Sequence, residues 1–408
     1  MLKKLFKRFT SKNKPDSYPS ANLMMTYNRI PIAFERGEGT RLWDKNDREY
    51  LDALGGIAVN ILGHQHPDFT RAIKTAADTV LHVSNLYQIP AQEALASKLC
   101  QITEMDRAFL CNSGTEANEA AIKIARKYGN NNNIENPVII TATNSFHGRT
   151  MAALAATGNE AVKKGFEPML SGFIHVPYDD PVAIQDLSEN KNIVAVMLEP
   201  IQGEAGIVMP SDDYFERVRE ICTANKWLLI ADEIQSGMGR TGIWCEHQRK
   251  GIKADVMTFA KALGNGIPIG ACLARGEAAT VLQPGNHGTT FGGNPFACTI
   301  ALNVIHILER EKLLANAEAI GKYLLDSLHL HLDEHSTVIA IRGQGLMLAI
   351  ELDQVHSDLQ ERCLEQGLIV NITGAGKIIR LLPPVIIQQS DADQIAKSLT
   401  IAIASLNA

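Results

Sequence analysis

The chain has 408 residues, 45% of them hydrophobic, which is enough apolar material for two packed lobes rather than one small core. Its 39 basic and 45 acidic residues leave a formal charge of −6, so no overall positive field favours nucleic acid or an anionic membrane as a partner. Seven cysteines occur without a C-x-x-C pair, which argues against a disulfide framework or a thiolate metal site. We expect a globular, cytoplasmic protein with reduced thiols and no bound metal.

The N-terminal residues form a basic segment in which four apolar and four basic side chains are interleaved between positions 2 and 9. This is the spacing of a short amphipathic helix, but one or two turns bury little area. We therefore interpret residues 1–20 as a flexible tail without stable membrane association. Strand-like residues follow at 34–43, within a segment, 21–62, that we assign to a smaller domain.

Short apolar runs alternate with helical patterns between about residues 105 and 275. The runs predict buried strands at 138–141, 194–198, 227–231 and 256–259. Helical patterns between them include 116–128 and 213–225. This alternation predicts an α/β fold in which a mostly parallel central sheet is flanked by helices, here assigned to a large domain at 63–310. Ligands of such sheets bind at the carboxyl ends of the strands.

The last hundred residues differ in character from the middle of the chain. A long helical pattern at about 295–331 precedes short strand-like pieces at 345–351 and 378–382. We expect residues 311–408 to belong to a smaller α+β domain that both chain ends build. The sequence leaves open whether the strand-like residues at 34–43 pair with it.

An aspartate and a lysine follow successive predicted strands. Asp232 comes directly after 227–231, and Lys261 comes two residues after 256–259. A lysine amine has an ordinary pKa of ~10.4, and the apolar neighbours of Lys261 would lower it by desolvation and make the amine a nucleophile. A carboxylate aimed at a pyridine nitrogen would keep that nitrogen protonated. By themselves the two residues are equally explained by a buried structural ion pair.

Two segments are suited to binding phosphate. Residues 111–116, Cys-Asn-Ser-Gly-Thr-Glu, follow an apolar stretch and open a helix, so free N–H groups and hydroxyls there could bind an anion. An ordinary helix N-cap explains the same residues. The glycine-rich loop at 287–295 is a second place where phosphate could be held.

Two further strand ends carry aromatic and charged residues. In the segment 145–149, Phe146 offers a flat ring for stacking and Arg149 a guanidinium for a two-point contact with a carboxylate. The segment 199–204 begins and ends with a glutamate. Each of these side chains also has an ordinary structural explanation, as a core ring, a surface charge or a solvated loop.

Taken in their order along the chain, these motifs resemble those of class III aminotransferases of fold type I, most closely the acetylornithine aminotransferases. The resemblance extends from residues 33–39 to Arg380-Leu381-Leu382-Pro383-Pro384. Its most specific part is Asp232-Glu233-Ile234-Gln235 followed at this separation by Lys261. The resemblance implies a fold type I enzyme that uses pyridoxal 5'-phosphate.

The resemblance also implies a role for each motif. Seven residues would contact the cofactor: Ser113, Gly114 and Thr115 at the phosphate, Phe146 over the ring, Gln235 at the ring hydroxyl, Asp232 at the pyridine nitrogen, and Lys261 as a Schiff base and proton carrier.

The resemblance implies a substrate pocket and an assembly as well. Arg149 and Arg380 would bind carboxylates, and Glu204 would pair with Arg380 and move aside for 2-oxoglutarate. Thr290, with Thr289 beside it, would reach the phosphate from the neighbouring subunit, so that a homodimer would carry its active sites at the subunit interface.

The reaction implied is transfer of the δ-amino group of N2-acetyl-L-ornithine to 2-oxoglutarate, which gives N-acetyl-L-glutamate 5-semialdehyde and L-glutamate. Other ω-amines suit the same pocket, namely succinylornithine, ornithine, 4-aminobutyrate and N-succinyl-diaminopimelate precursors. A different class of function is suggested by Gly237, Gly239 and Gly242, which match the G-x-G-x-x-G motif of dinucleotide-binding oxidoreductases. This match is weak because the motif does not start at the strand end or open an obvious helix. A catalytically silent protein on the same fold is the third alternative.

Overall fold

A seven-stranded sheet forms the centre of the fold, and the chain also forms two four-stranded sheets. The computed structural model describes residues 22–407. The basic tail predicted at residues 1–20 lies outside the described residues. Within residues 22–407, no helix combines the length and apolarity needed to cross a membrane.

Strands and helices are numbered here in chain order. The strands are β1 (Phe34–Glu38), β2 (Arg41–Asp44), β3 (Glu49–Asp52), β4 (Arg107–Cys111), β5 (Val138–Ala142), β6 (Phe173–Val176), β7 (Ile193–Leu198), β8 (Leu228–Asp232), β9 (Val256–Phe259), β10 (Gly270–Ala274), β11 (Val338–Gln344), β12 (Met347–Leu352), β13 (Leu368–Ile369), β14 (Asn371–Thr373) and β15 (Ile378–Leu381). The α-helices longer than one turn are α1 (Pro67–Ala77), α2 (Pro90–Thr103), α3 (Gly114–Asn131), α4 (Met151–Ala156), α5 (Pro181–Gln185), α6 (Tyr214–Asn225), α7 (Pro295–Arg310), α8 (Leu313–Leu332), α9 (Leu359–Glu365) and α10 (Gln389–Ala404).

The central sheet has the strand order β4-β10-β9-β8-β7-β5-β6. Every neighbouring pair from β9 to β6 is parallel, whereas β10 runs antiparallel to both β4 and β9. The predicted mostly parallel sheet is therefore confirmed. Because β5, β7, β8 and β9 run in one direction, the loops that follow them meet at a single edge of the sheet.

Both faces of the central sheet are covered, which explains why its strands are apolar throughout rather than alternating. Ile140 and Leu229 belong to one buried cluster, and their chain neighbours Ile139 and Ile230 belong to another. Successive side chains of a strand point to opposite faces, so the two clusters lie on the two sides of the sheet. Helix α3 contributes to the second cluster.

The predicted elements of the middle of the chain are confirmed, and their ends differ from the prediction by at most three residues. The four predicted strands are β5, β7, β8 and β9, and the two predicted helices are α3 and α6. The helical pattern predicted at 295–331 is two helices, α7 and α8, because Lys312 between them has a left-handed backbone with φ of 55°. The apolar spacing resumes at Leu313, so the pattern alone does not reveal the break.

The two smaller sheets contain strands from both ends of the chain. One has the order β1-β2-β3-β13, in which β3 and β13 are parallel and Leu51 lies opposite Leu368. The other has the order β11-β12-β15-β14. The strand-like residues near the N-terminus thus share a sheet with the C-terminal region, while the domain limits at residues 62 and 310 stay a prediction. The described residues before Glu35 belong to a separate unit, in which Met24 and Met25 are largely exposed.

The glycine motif at residues 237–242 has a packing role in this fold. A Cβ on Gly237 would collide with the ring of Phe259, and Cβ atoms on Gly239 and Gly242 would meet side chains of α8. The chain between residues 234 and 242 makes turns and does not begin a helix. The alternative of a dinucleotide-binding motif is therefore wrong. These glycines allow neighbouring elements to pack closely, whereas the glycines of that motif allow a pyrophosphate to approach the backbone.

A second close contact joins α8 to the turn between β11 and β12. Gly321 of α8 lies so near this turn that a Cβ would overlap the carbonyl oxygen of Gly345. On helix propensity alone, Gly321→Ala would stabilise the protein by about 1 kcal/mol. We expect the opposite, a loss of about 1–3 kcal/mol in the free energy of unfolding, because a backbone atom cannot move aside as a side chain would.

This expectation is checked by denaturant unfolding of Gly321→Ala beside Leu330→Ala, a change on the same helix at a side chain that is 80% exposed. The control is expected to change the free energy of unfolding by less than about 0.5 kcal/mol. A Gly321→Ala protein as stable as the parent would show that α8 and the turn are not in tight contact.

Candidate active site

A cavity of about 380 Å³ lies at the carboxyl ends of the parallel strands. The loops after β4, β5, β7, β8 and β9 line it, as the parallel direction of these strands requires. Nine residues predicted from the sequence lie in its wall: Ser113, Gly114, Thr115, Phe146, Arg149, Glu204, Asp232, Gln235 and Lys261. Three other residues predicted from the sequence do not line the cavity. Arg380 contacts Glu204, Thr289 contacts Asn112 of the wall, and Thr290 is exposed.

A larger depression of about 520 Å³ lies at the opposite edge of the sheet, near the starts of β8 and β9. Two of its cations are already paired, Arg219 with Asp255 at 2.6 Å and Lys253 with Glu104 at 2.9 Å. None of the residues predicted to carry chemistry line it. The smaller cavity is therefore the candidate active site.

Lys261 occupies a strained turn directly beyond β9. Its φ of 38° is in the left-handed region that non-glycine residues rarely adopt, and such strain is typical of functional positions. Burial lowers the pKa of its amine to about 8, and the charge of Arg380 acts in the same direction against the opposing effect of Glu204. A pKa of about 8 leaves about one amine in ten neutral at pH 7, which is a usable fraction of nucleophile.

Asp232 is held rigidly at the end of β8. One of its oxygens accepts hydrogen bonds from Asn118 Nδ2 at 2.8 Å and His147 Nδ1 at 2.7 Å, and the other accepts from the Ile234 N–H at 3.1 Å. These donors stabilise the charged carboxylate inside the protein. The side chain is only 4% exposed, yet it lies in the wall of the cavity.

The hydrogen bonds of Asn118 and His147 to Asp232 were not predicted from the sequence. Burial by itself would lower the pKa of His147, but its hydrogen bond to Asp232 and the charges of Asp232 and Glu199 outweigh burial and raise the pKa. Nε2 of His147 is buried and has no hydrogen-bond partner among residues 22–407. The available signal was the position of His147 next to Phe146 in a loop that follows a strand.

The amino end of α3 forms the phosphate-sized part of the cavity. The Ser113 hydroxyl accepts the Glu116 N–H at 3.3 Å as a helix N-cap, and the Thr115 and Thr150 hydroxyls are 2.8 Å apart. Gly148 has no Cβ, which leaves room for the Thr115 side chain that a Cβ would overlap. An 18-residue helix presents a partial positive charge at this end, which favours an anion.

Phe146 and Arg149 lie at the mouth of the cavity. The Arg149 guanidinium carbon is 5.5 Å from the centre of the Phe146 ring, within the range of a cation–π contact. Arg149 is exposed, whereas Phe146 is half-buried. A ring and a cation are thus available to ligands that enter the cavity.

Arg380 and Glu204 form an ion pair on the other side of the cavity. Arg380 Nη1 donates to Glu204 Oε1 at 2.7 Å and to the Gly203 carbonyl at 2.9 Å. Asn371 Oδ1 accepts from the same guanidinium at 2.7 Å, and Gln235 Oε1 accepts from it at 3.2 Å. Burial would raise the pKa of Glu204, but Arg380 overrides this effect and lowers it, so the carboxylate is charged.

The loop that contains Thr289 and Thr290 contacts the cavity wall within the same chain. Asn112 Nδ2 donates to the Thr289 hydroxyl at 3.1 Å, and the Glu116 carboxylate accepts both the N–H and the side-chain amide of Asn112. Thr290 is exposed next to this contact.

These side chains fit pyridoxal phosphate. The cavity combines a helix amino end for a phosphate, a carboxylate for a pyridine nitrogen, a ring for stacking and an amine of lowered pKa for a carbonyl carbon. A dinucleotide site would not need the amine of lowered pKa.

Comparison with known proteins agrees with this chemistry. The profile of the family Aminotransferase class-III matches residues 24–403. The acetylornithine aminotransferase of Nitrosomonas europaea is 47% identical over 384 residues, which are 94% of this chain and 98% of that protein. Acetylornithine aminotransferase 1 of Bordetella bronchiseptica is 50% identical over 382 residues, which are 93% of this chain and 97% of that protein.

A solved ornithine aminotransferase from Toxoplasma gondii, with partial occupancy of PLP at its active site, is similar in structure, with a TM-score of 0.91 and 31% identity. The similarity covers 95% of this chain and 92% of that one. The cavity, its buried lysine of lowered pKa and these relatives lead to one conclusion, that the chain belongs to the class III aminotransferases, enzymes of fold type I that use pyridoxal phosphate.

Proposed function

We propose that this enzyme transfers the δ-amino group of N2-acetyl-L-ornithine to 2-oxoglutarate, giving N-acetyl-L-glutamate 5-semialdehyde and L-glutamate. The observation that carries the proposal is the placement of two guanidinium groups at one cavity: Arg149 is open in its wall, and Arg380 contacts Glu204 of the wall and is neutralised by it. The names of the Nitrosomonas and Bordetella relatives support the choice of donor. The free thiols of all seven cysteines support a location in the cytoplasm.

The residues that would hold the cofactor follow from the geometry of the cavity. Ser113, Gly114 and Thr115 would bind its phosphate, and Phe146 would stack on its ring. Gln235, 8% exposed and in the cavity wall, would contact the ring hydroxyl. When bound, pyridoxal phosphate supplies an electron-withdrawing ring that stabilises charge on the substrate carbon that loses a proton.

Lys261 and Asp232 would perform the proton chemistry. With a pKa of about 8, the Lys261 amine would act as general base and acid, and it would move a proton away from the amine-bearing carbon of the substrate. Asp232, fixed by Asn118 and His147, would keep a proton on the pyridine nitrogen.

Arg380 and Glu204 would let one cavity accept two different substrates. While Glu204 is paired, Arg380 presents no net charge to the amine donor, whose carboxylate Arg149 binds at the mouth. 2-Oxoglutarate has a second carboxylate, which would replace Glu204 on the Arg380 guanidinium. The 2.7 Å ion pair is thus the element that must open for this half of the reaction.

We further infer a homodimer with the active sites at the interface between subunits. Asn85 Nδ2 donates to the carbonyls of Thr289 and Gly292 at 3.1 Å, which joins two loops into one surface. This surface exposes Leu86 at 87% and Phe291 at 64%, a degree of apolar exposure that favours burial against a second copy. The exposed Thr290 next to it would then reach the phosphate in the partner.

The covalent role of Lys261 is tested by borohydride reduction of the enzyme loaded with pyridoxal phosphate. We expect mass spectrometry to find the reduced cofactor on the peptide that contains Lys261, and expect no label in Lys261→Ala, because no other lysine among residues 22–407 lines the cavity. The absence of cofactor absorbance, or a label on another lysine, would sink this assignment.

The donor is tested by kcat/KM values for acetylornithine, succinylornithine, ornithine and 4-aminobutyrate with 2-oxoglutarate as acceptor. Acetylornithine is expected to exceed ornithine by about tenfold or more, since the free α-ammonium of ornithine would lie near the Arg149 cation. A strong preference for 4-aminobutyrate, whose carboxylate is one carbon nearer to the reacting amine, would overturn the role proposed for Arg149.

Glu204→Gln tests the Glu204–Arg380 pair, because it keeps the shape of the side chain but removes its charge. Arg380 would then bind a carboxylate without first losing one, so KM for 2-oxoglutarate is expected to fall about tenfold. The preference for acetylornithine over glutamate as donor should fall by a similar factor. Glu318→Gln, at a glutamate outside the cavity, should change neither value, and an unchanged KM in Glu204→Gln would refute the proposed displacement.

A further inference from the structure

Glu199 lies in the wall of the cavity but has no part in the proposed reaction. The residue directly follows β7 and is 6% exposed. In the described part of the chain, no lysine, arginine or histidine lies within salt-bridge distance of its carboxylate. A buried carboxylate is costly unless hydrogen bonds satisfy it, so its contacts indicate its purpose.

Both carboxylate oxygens of Glu199 accept backbone N–H groups from loops of the active site. Oε2 accepts the N–H of Phe146 at 3.0 Å, and Oε1 accepts the N–H of Gly203 at 3.3 Å. Gly203 immediately precedes Glu204, and its carbonyl accepts Arg380 Nη1 at 2.9 Å. One side chain therefore links the loop of the stacking ring to the loop of the Glu204–Arg380 pair.

The same two loops have one more connection. Gln202 Nε2 donates to the Thr143 carbonyl at 2.9 Å. A Cβ on Gly203 would overlap the side-chain amide of Gln235, so this glycine packs closely against a residue of the cavity wall. Loss of the Glu199 contacts would change the position of Gly203 relative to Phe146.

Titratable groups on several neighbouring elements lie near Glu199. Burial raises the pKa of Glu199 to about 7 and the charge of Asp232 adds to this effect, while His147 and the two N–H groups lower it. Lys261 lies near enough for the charge of Glu199 to raise the pKa of its amine. Tyr178 donates its hydroxyl to the Glu199 carbonyl at 2.9 Å.

We propose that Glu199 is a positioning residue whose carboxylate ties the Phe146 loop to the Gly203–Glu204 loop, and thereby sets the separation between the cofactor ring and Arg380. It acts through these loops and does not touch the reacting atoms. The inference rests on the functions proposed above for Phe146 and Arg380. It assigns to Glu199 an effect on cofactor binding and on the recognition of 2-oxoglutarate at the same time.

Glu199→Gln is the variant that tests this role. An amide has one acceptor oxygen, so one of the two N–H groups would face an NH₂ donor and lose its partner. We expect the dissociation constant of pyridoxal phosphate, measured by titrating the cofactor-free enzyme and following tryptophan fluorescence, to rise about tenfold. KM for 2-oxoglutarate should rise by a similar factor, with kcat changed less than about threefold.

The pH dependence of cofactor binding separates this role from a loss of stability. Below its pKa of about 7, Glu199 is protonated in the parent enzyme and also has only one acceptor oxygen. The difference in affinity between the parent and Glu199→Gln is therefore expected to be large at about pH 8 and small at about pH 6. A difference that is the same at both pH values would overturn the proposal.

Asp391→Asn is the matched control. Asp391 is a buried carboxylate outside the cavity that accepts the Gln388 N–H at 3.1 Å and Arg41 Nη2 at 2.8 Å. Its replacement should lower the free energy of unfolding without changing either binding constant. Equal losses in both variants, or Glu199→Gln constants within twofold of the parent, would refute the positioning role.

Glu199→Asp provides a second measurement if Glu199→Gln does not fold. Aspartate retains the charge but is one methylene shorter and cannot reach both N–H groups, so the same losses are expected, and parental constants would refute the inference. If the parent enzyme itself binds no pyridoxal phosphate, the proposed function fails, which is distinct from failure of the role of Glu199.

Discussion

The common direction of β5, β7, β8 and β9 is the constraint on which the site depends. Parallel strands can be joined only by crossovers, so each of their carboxyl ends opens into a loop at one edge of the sheet. Phe146, Glu199 and Lys261 belong to three such loops, and Asp232 is the last residue of β8 at the same edge. Residues that are more than a hundred positions apart thus meet in one cavity of about 380 Å³.

Charge balance inside that cavity explains why each ionisable group is useful. Lys261 is deprived of water, and Arg380 adds to the fall in its pKa, while Glu204 and Asp232 limit that fall. Glu204 is charged because Arg380 is beside it, and Asp232 is surrounded by three donors. Each ionisable group therefore has a partner within the protein. A substrate carboxylate can take the place of such a partner, which suits an enzyme that alternates between two substrates.

Much of the cavity could be predicted from the sequence because its residues directly follow apolar strands. Asp232 and Lys261 are examples, since each is at most two residues from the end of its strand. Asn118 and His147 were missed as partners of Asp232, because helix α3 brings Asn118 there only through its packing on the sheet. The glycines at 237, 239 and 242 suggested a dinucleotide-binding motif because their spacing matches one. Tertiary contacts with neighbouring elements require small residues at the same positions, and spacing alone cannot distinguish the two explanations.

The sequence by itself determined the α/β class, the strands β5, β7, β8 and β9, and the positions of Asp232 and Lys261 at successive strand ends, because apolar periodicity is a local property. Only the tertiary structure decided that Asn118 and His147 bind Asp232, that α7 and α8 are separate helices, and that Glu199 joins two loops. These features depend on contacts between distant segments and on the water that such contacts exclude, and neither is encoded in the spacing of residues along the chain.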